Sequence, residues 1–277
     1  MDWLQALLLG IVQGLTEFLP VSSSGHLMIF KELLGVETEG FLDYTVTVHM
    51  ATVLSTIVVF RKEILDLLKG LFQFRYNDQT DYICKILVSM IPVAVVGSFF
   101  KDQVETLFGA GLLTVATCLC ATSVLLSFSD WVGTQKRKAR SPEEEETNPA
   151  RNGISYWQAF LVGIGQACAV APGLSRSGTT IATGLLSGVR RDVIAQFSFL
   201  MVLVPIVGEQ CLDVLKAMTG STPLGSGIGI LPLLIGFVAA FLSGLFACKV
   251  MIALVRKASL KWFALYCLLV ALLILLF

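Results

Sequence analysis

Glu17, His26 and Arg176 lie in polar interruptions of segments that are otherwise apolar. A central Arg or Asp in such a segment costs roughly 2.5–3.5 kcal/mol, so groups of this kind call for a function or a partner. Gln13 and Glu17 are four residues apart, which puts an amide and a carboxylate on one helical face. Those oxygens suit a hard cation, Mg²⁺ or Ca²⁺, with phosphate oxygens filling the rest of the shell. The plainer alternative makes Glu17 a structural partner of Arg176. Ser22, Ser23, Ser24 and Gly25 precede a helix expected over 26–34, and Ser175, Ser177, Gly178 and Thr179 precede one expected over 180–188. Hydroxyls and amides gathered at a helix start bind anions, phosphate above all, although the same residues also serve as ordinary caps. Arg176 adds a planar fork for phosphate oxygens. His26 could act as acid, base or nucleophile, Ser23 could be the attacking hydroxyl, and a water activated by either is a third option. His49 and Glu209 read as packing residues that bond a neighbour.

Elements that would bring these residues together are visible as a repeat. Sliding the chain by 153 positions aligns Trp3–His26 with Tyr156–Thr179, with identities at Gln5, Ala6, Leu8, Gly10, Ile11, Gln13, Ser22, Ser24 and Gly25. A duplicated polar break in a membrane chain points to a site at the interface of the two copies. The copies differ where chemistry needs different groups: Glu17 and His26 in one, Arg176 in the other.

The membrane assignment follows from 55% hydrophobic and 14% charged residues and a mean hydropathy of +0.80. No basic leader or small-residue cleavage site precedes the first apolar run, so the hydrophobic segments are expected to be retained. The seven cysteines are scattered and read as buried hydrophobes. Six stretches are long enough to span: about 42–60, 83–100, 109–130, 193–208, 228–248 and 262–277. Two more, 3–34 and 155–188, are broken at Pro20–Gly25 and Pro172–Gly178, which suggests two re-entrant helix–loop–helix hairpins. The expected fold is therefore all-α: a single polytopic membrane domain over 1–277, with inverted repeats 1–130 and 153–277. A charged linker, 131–152, joins them. In that arrangement loops 61–82, 131–152, Arg190-Arg191 and 249–261 share one side and hold 15 Lys/Arg, against Lys31, Lys101 and Lys216 opposite. The positive-inside rule makes the rich side cytoplasmic and puts both termini outside. Gly184, Ser187-Gly188 and Ser243-Gly244 suit close helix packing.

At Gln13-Gly-Leu-Thr-Glu17, continuing to His26, and at Pro172-Gly-Leu-Ser-Arg-Ser-Gly-Thr-Thr180, the chain resembles the undecaprenyl-diphosphate phosphatases, the BacA or UppP family associated with bacitracin resistance. The likeness in length, spacing and hydropathy covers essentially the whole chain. It implies a bacterial inner-membrane enzyme that hydrolyses undecaprenyl diphosphate to undecaprenyl phosphate and inorganic phosphate, using a divalent cation and a site open to the outer face. By motif, Glu17, Ser23, His26 and Arg176 are the implied central residues, with Gln13, Ser22, Ser24, Ser175, Ser177 and Thr180 around them. Many members carry Glu at the place of Gln13, so a two-carboxylate metal site is in doubt. The implied partners are a polyprenyl diphosphate and the bilayer, with no nucleic acid; a homodimer is left open. A rival from another class is a transporter or flippase for a phosphorylated lipid anion, built on the same repeat. A non-catalytic scaffold would leave Glu17, His26 and Arg176 without purpose.

Overall fold

The computed structural model describes residues 1–37, 40–100, 103, 106, 111–139, 151–218, 228–257 and 259–276, with side chains left undescribed at 42, 136–139, 209–218 and 255–257. The charged run 140–150, Lys101 and the side chains of Glu209, Cys211 and Lys216 thus lie outside the described residues. Among the described residues the chain is all helical. Its helices are α1 (Trp3–Phe18), α2 (Ser23–Leu33), α3 (Phe41–Val59), α4 (Arg61–Leu71), α5 (Asp78–Phe99) and α6 (Gly111–Ala139). After a 3₁₀ turn at Arg151–Gly153 come α7 (Tyr156–Cys168), α8 (Arg176–Leu186), α9 (Arg191–Met218), α10 (Ile230–Lys257) and α11 (Lys261–Leu276).

Four helices are long and apolar enough to cross a membrane: Asp78–Phe99, Gly111–Gln135, Arg191–Gly208 and Ile230–Leu254. A fifth span results if Asp43–Val59 and Arg61–Leu71, bent by 74° at Phe60, count as one. Residues 61–82 read as a loop in the sequence, yet Arg61–Leu71 is helical: Ile64 and Leu67 pack on the main core while Lys62, Glu63, Asp66 and Lys69 take the other faces. The stretch 131–152, read as linker, begins as a continuation of α6 to Ala139.

The polar breaks are where each half turns back on itself. Asp2 and Ser155 cap α1 and α7 with reciprocal capping boxes, each completed by a glutamine three residues on, Gln5 and Gln158. The same two glutamines reach across each hairpin. Gln5 Nε2 donates to the Leu34 carbonyl at 3.0 Å, and Gln158 Nε2 donates to the Ser187 carbonyl at 3.0 Å. The entry of the first helix is thereby tied to the exit of the second in both halves. The glycines that follow, Gly35 (φ 61°) and Gly188 (φ 90°), take the left-handed turn that ends α2 and α8. All these pairs obey the 153-residue offset seen in the sequence.

Packing exchanges partners between the halves: α1 lies along α10, and α7 lies along α5. Small residues allow the approach. A Cβ on Gly14 would fall 2.0 Å from Ser243 Oγ, and one on Gly163 would fall 2.3 Å from the Ser89 carbonyl. Beside α7, a buried ion pair joins Lys85 Nζ to Asp81 Oδ2 at 2.5 Å, and Lys85 also donates to the Arg151 carbonyl at 2.6 Å. This pair fastens the start of the second half onto α5. The main core gathers Phe197, Met201, Ile181, Ile194, Leu126 and Met251 around α8 and α9.

Candidate active site

The tips of the two hairpins meet. A Cβ on Gly25 would sit 3.3 Å from Gly173 Cα, and one on Gly178 would sit 3.2 Å from Pro20 Cβ. Ser177 Oγ of the second break donates to the Leu19 carbonyl of the first at 3.2 Å. Both helices after the breaks begin earlier than the sequence suggests, at Ser23 and Arg176, because Ser22 and Ser175 act as N-caps. Ser22 Oγ accepts from the Gly25 amide at 3.3 Å and Ser175 Oγ from the Gly178 amide at 3.1 Å. Ser23, Ser24 and Gly25, like Arg176 to Thr179, therefore occupy first turns of helices. Ser22 holds φ at 69°, a left-handed conformation that costs a non-glycine residue of order 1 kcal/mol or more.

Across this junction Arg176 Nη2 stands 3.5 Å from Glu17 Oε1. The other carboxylate oxygen, Oε2, accepts Ser23 Oγ–H at 2.5 Å and Gln13 Nε2–H at 2.9 Å. His49 Nε2, from α3, lies 3.7 Å from the same Oε2. Glu17 is 11% exposed and Arg176 31% exposed, so the pair is reachable from one side. A cavity of about 30 Å³ adjoins it, bounded by polar Thr52, Thr56, Ser177 and Ser198 and by an apolar wall of Phe18, Phe199, Val202, Leu203 and Ile206. That space holds about two waters.

His26 takes other partners. It is buried; its Nδ1 lies 2.7 Å from the Ser22 carbonyl and its Nε2 2.8 Å from the Tyr266 hydroxyl, with the two rings stacked at 5.6 Å. A carbonyl oxygen only accepts, so Nδ1 carries the proton and Nε2 accepts from Tyr266. Neither Glu17 nor Arg176 is among its hydrogen-bond partners in the described residues. Ser24 Oγ lies 3.4 Å from Ser22 Oγ, and Ser175 Oγ lies 3.4 Å from Ser177 Oγ. Thr179 Oγ1 donates back to the Ser175 carbonyl. Thr180 Oγ1 lies 2.5 Å from Ser198 Oγ and also donates to the Arg176 carbonyl. Ser22, Ser175 and Thr179 thus have intramolecular capping and back-bonding roles, while Ser23 and Arg176 are the ones aimed at Glu17. His49 and Tyr266 are site neighbours that the motifs do not announce; the only signal for His49 is that it is an ionisable group within an apolar segment.

Gln13 offers a direct test of whether a cation fits. It is fully buried, and its Oε1 has no hydrogen-bond partner among the described residues. Rotating the amide by half a turn would place that oxygen 2.9 Å from Glu17 Oε2, acceptor against acceptor. In the first orientation Oε1 goes unpaired, and in the second a positive ion is needed between two oxygens. The corner therefore fits an electropositive ligand. Among the described residues no group of three His, Cys, Asp or Glu side chains forms a metal site, so phosphate oxygens would have to complete the shell.

Residues 6–273 match the family model described as bacitracin resistance protein BacA. An undecaprenyl-diphosphatase of Bacteroides fragilis is 52% identical over 267 residues, covering 96% of this chain and 95% of that protein. The Parabacteroides distasonis undecaprenyl-diphosphatase is 53% identical over the same shares. The one from Carboxydothermus hydrogenoformans is 36% identical over 266 residues, covering 96% of this chain and 94% of the relative.

Proposed function

The chain belongs to the BacA family of bacitracin resistance proteins, and we propose that its undecaprenyl-diphosphatase activity resides where Glu17 and Arg176 meet. It is a multi-pass membrane hydrolase that converts undecaprenyl diphosphate to undecaprenyl phosphate and inorganic phosphate. The observation that carries the siting is the 3.5 Å approach of Arg176, from one broken helix, to Glu17, from the other. A carboxylate facing a guanidinium at the junction of two helix starts is built to receive a phosphate between hydroxyl, amide and arginine donors.

Arg176 and the first-turn amides of α2 and α8 bind and orient the diphosphate. The wall of Phe18, Phe199, Val202 and Leu203 beside the polar corner suits the first prenyl units. Ser23 is the hydroxyl placed for attack, because its proton already points at Glu17 Oε2. Ser23 Oγ bonds to the terminal phosphorus as Glu17 takes the proton, the bridging oxygen leaves with undecaprenyl phosphate, and water then cleaves the phosphoserine. His26, held in one tautomer by the Ser22 carbonyl and Tyr266, stands one helical turn from Ser23 and steadies that corner. Gln13 and Glu17 would hold a Mg²⁺ or Ca²⁺ ion, which when bound supplies charge neutralisation on the phosphate oxygens.

We read the two hairpins as re-entrant and the halves as an inverted repeat of six spans in all, with both termini outside and the site open to the outer face. The offset of 153 residues shared by the cap, tie and turn residues supports this, as does the 15-to-3 split of basic residues. Purified protein in detergent, with no gradient across a bilayer, is expected to release phosphate from undecaprenyl diphosphate. Rapid acid quench should trap phosphate on Ser23, and Ser23→Ala should remove the trapped species. Lipid movement between leaflets with no phosphate released would sink the hydrolytic scheme.

A further inference from the structure

His49 is held in one orientation by its own helix. Its Nδ1 lies 2.8 Å from the Thr45 carbonyl, which only accepts, so in the neutral ring Nδ1 carries the proton and Nε2 presents a lone pair. What Nε2 faces at 3.7 Å is Glu17 Oε2, another acceptor. That gap exceeds a direct hydrogen bond, which ends at about 3.2 Å. It does suit a shared ion, since metal–nitrogen and metal–oxygen bonds are each about 2.0–2.2 Å long. Arg176 approaches the opposite oxygen, Oε1, while Oε2 takes the hydrogens of Ser23 and Gln13 and faces His49. Gln13, in the same corner, has a fully buried Oε1 without a hydrogen-bond partner among the described residues, as has its repeat counterpart Gln166.

We propose that His49 is the third protein donor of this corner, binding through Nε2 the divalent cation that Glu17 and Gln13 hold. The inference rests on the cation reading given above and adds a chemical preference to it. Oxygen donors alone favour Mg²⁺ and Ca²⁺, whereas an imidazole brings the site into the range of transition-metal cations. This chain's site therefore takes Mn²⁺ or Zn²⁺ more tightly than Ca²⁺, despite having an amide at position 13.

Tag-free protein in detergent, loaded with Mn²⁺ alone, tests this by equilibrium dialysis and pulsed electron paramagnetic resonance. The chain has two histidines, His26 and His49, so any imidazole coupling has two candidate sources. Wild type and His26→Asn should both bind Mn²⁺ with imidazole nitrogen modulation. His49→Gln should still bind, about tenfold more weakly, and lose the modulation. Mn²⁺ bound to wild type without nitrogen modulation, or modulation that survives in His49→Gln, overturns the role of His49 and leaves the Glu17–Gln13 cation standing. Failure of wild type to retain Mn²⁺ overturns both.

Discussion

Two buried ionic clusters sit in this molecule, and they are finished to different degrees. At the Lys85 cluster the two charges are in direct contact and the carboxylate is fully engaged. Asp81 accepts from Lys85 at 2.5 Å, Tyr76 at 2.7 Å, Tyr156 at 3.0 Å and Asn152 at 3.0 Å, and Lys85 spends a second hydrogen on the Arg151 carbonyl. At the Glu17 cluster Arg176 and His49 stand off at 3.5 Å and 3.7 Å, and Gln13 Oε1 is unpaired among the described residues. A closed network in a low-dielectric interior rigidifies the fold, and one with missing partners is costly unless something else completes it. The first cluster joins two halves of a chain. In the proposed function the second receives the ligand, and the repeat logic explains how: each hairpin brings its own charge to the shared tip.

The sharpest way to break this contrast is Arg176→Ala. If Arg176 grips the phosphoryl group, phosphate release should fall on the order of 10³- to 10⁵-fold, while the unfolding temperature in detergent barely changes. Wild-type-like turnover would mean the open cluster is only structural. Lys85→Met should do the reverse. It strands the Asp81 carboxylate in the interior and should cost about 3–5 kcal/mol of stability, with turnover per folded molecule intact. The double variant Asp81→Leu/Lys85→Met should recover most of that loss. Thermal unfolding followed alongside phosphate release separates the two outcomes, and loss of turnover at unchanged stability in Lys85→Met would erase the distinction.

How much of this was legible in the sequence depends on the distance a contact spans. The breaks at Pro20–Gly25 and Pro172–Gly178 are written locally in proline, glycine and serine, and the matched capping glutamines Gln5 and Gln158 fall within the repeat itself. Treating the breaks as two copies of one device leads to Glu17, His26 and Arg176 sharing one cavity; Glu17 and Arg176 do meet, whereas His26 bonds to Ser22 and Tyr266 instead. The helix starts at Ser23 and Arg176 did not follow, because serine is both a loop residue and a cap, and only geometry tells which serine does the capping. Lys85 has Asp81 four residues earlier as a visible helical neighbour, but the Tyr156 and Asn152 that complete the shell of Asp81 come from 75 and 71 residues away. His49 and Tyr266 were out of reach for the same reason. One arrives on α3 and the other on α11, 240 residues from His26, and no local pattern records such a meeting.

Tyr266 supplies the finest test of the comparison, because it touches the site from its edge. Its hydroxyl donates to His26 Nε2 at 2.8 Å, and its ring, 44% exposed, stacks on the imidazole. Tyr266→Phe keeps the stacked ring and removes only the hydrogen bond, worth about 1 kcal/mol. If His26 steadies the corner that carries Ser23, kcat should drop about fivefold with KM unchanged. Tyr266→Ala removes the ring as well and should cost more, since His26 then loses both its partner and its cover. A Tyr266→Phe enzyme whose KM rises at constant kcat would instead assign the tyrosine to binding the lipid, and His26 would no longer be needed to explain the order around Ser23.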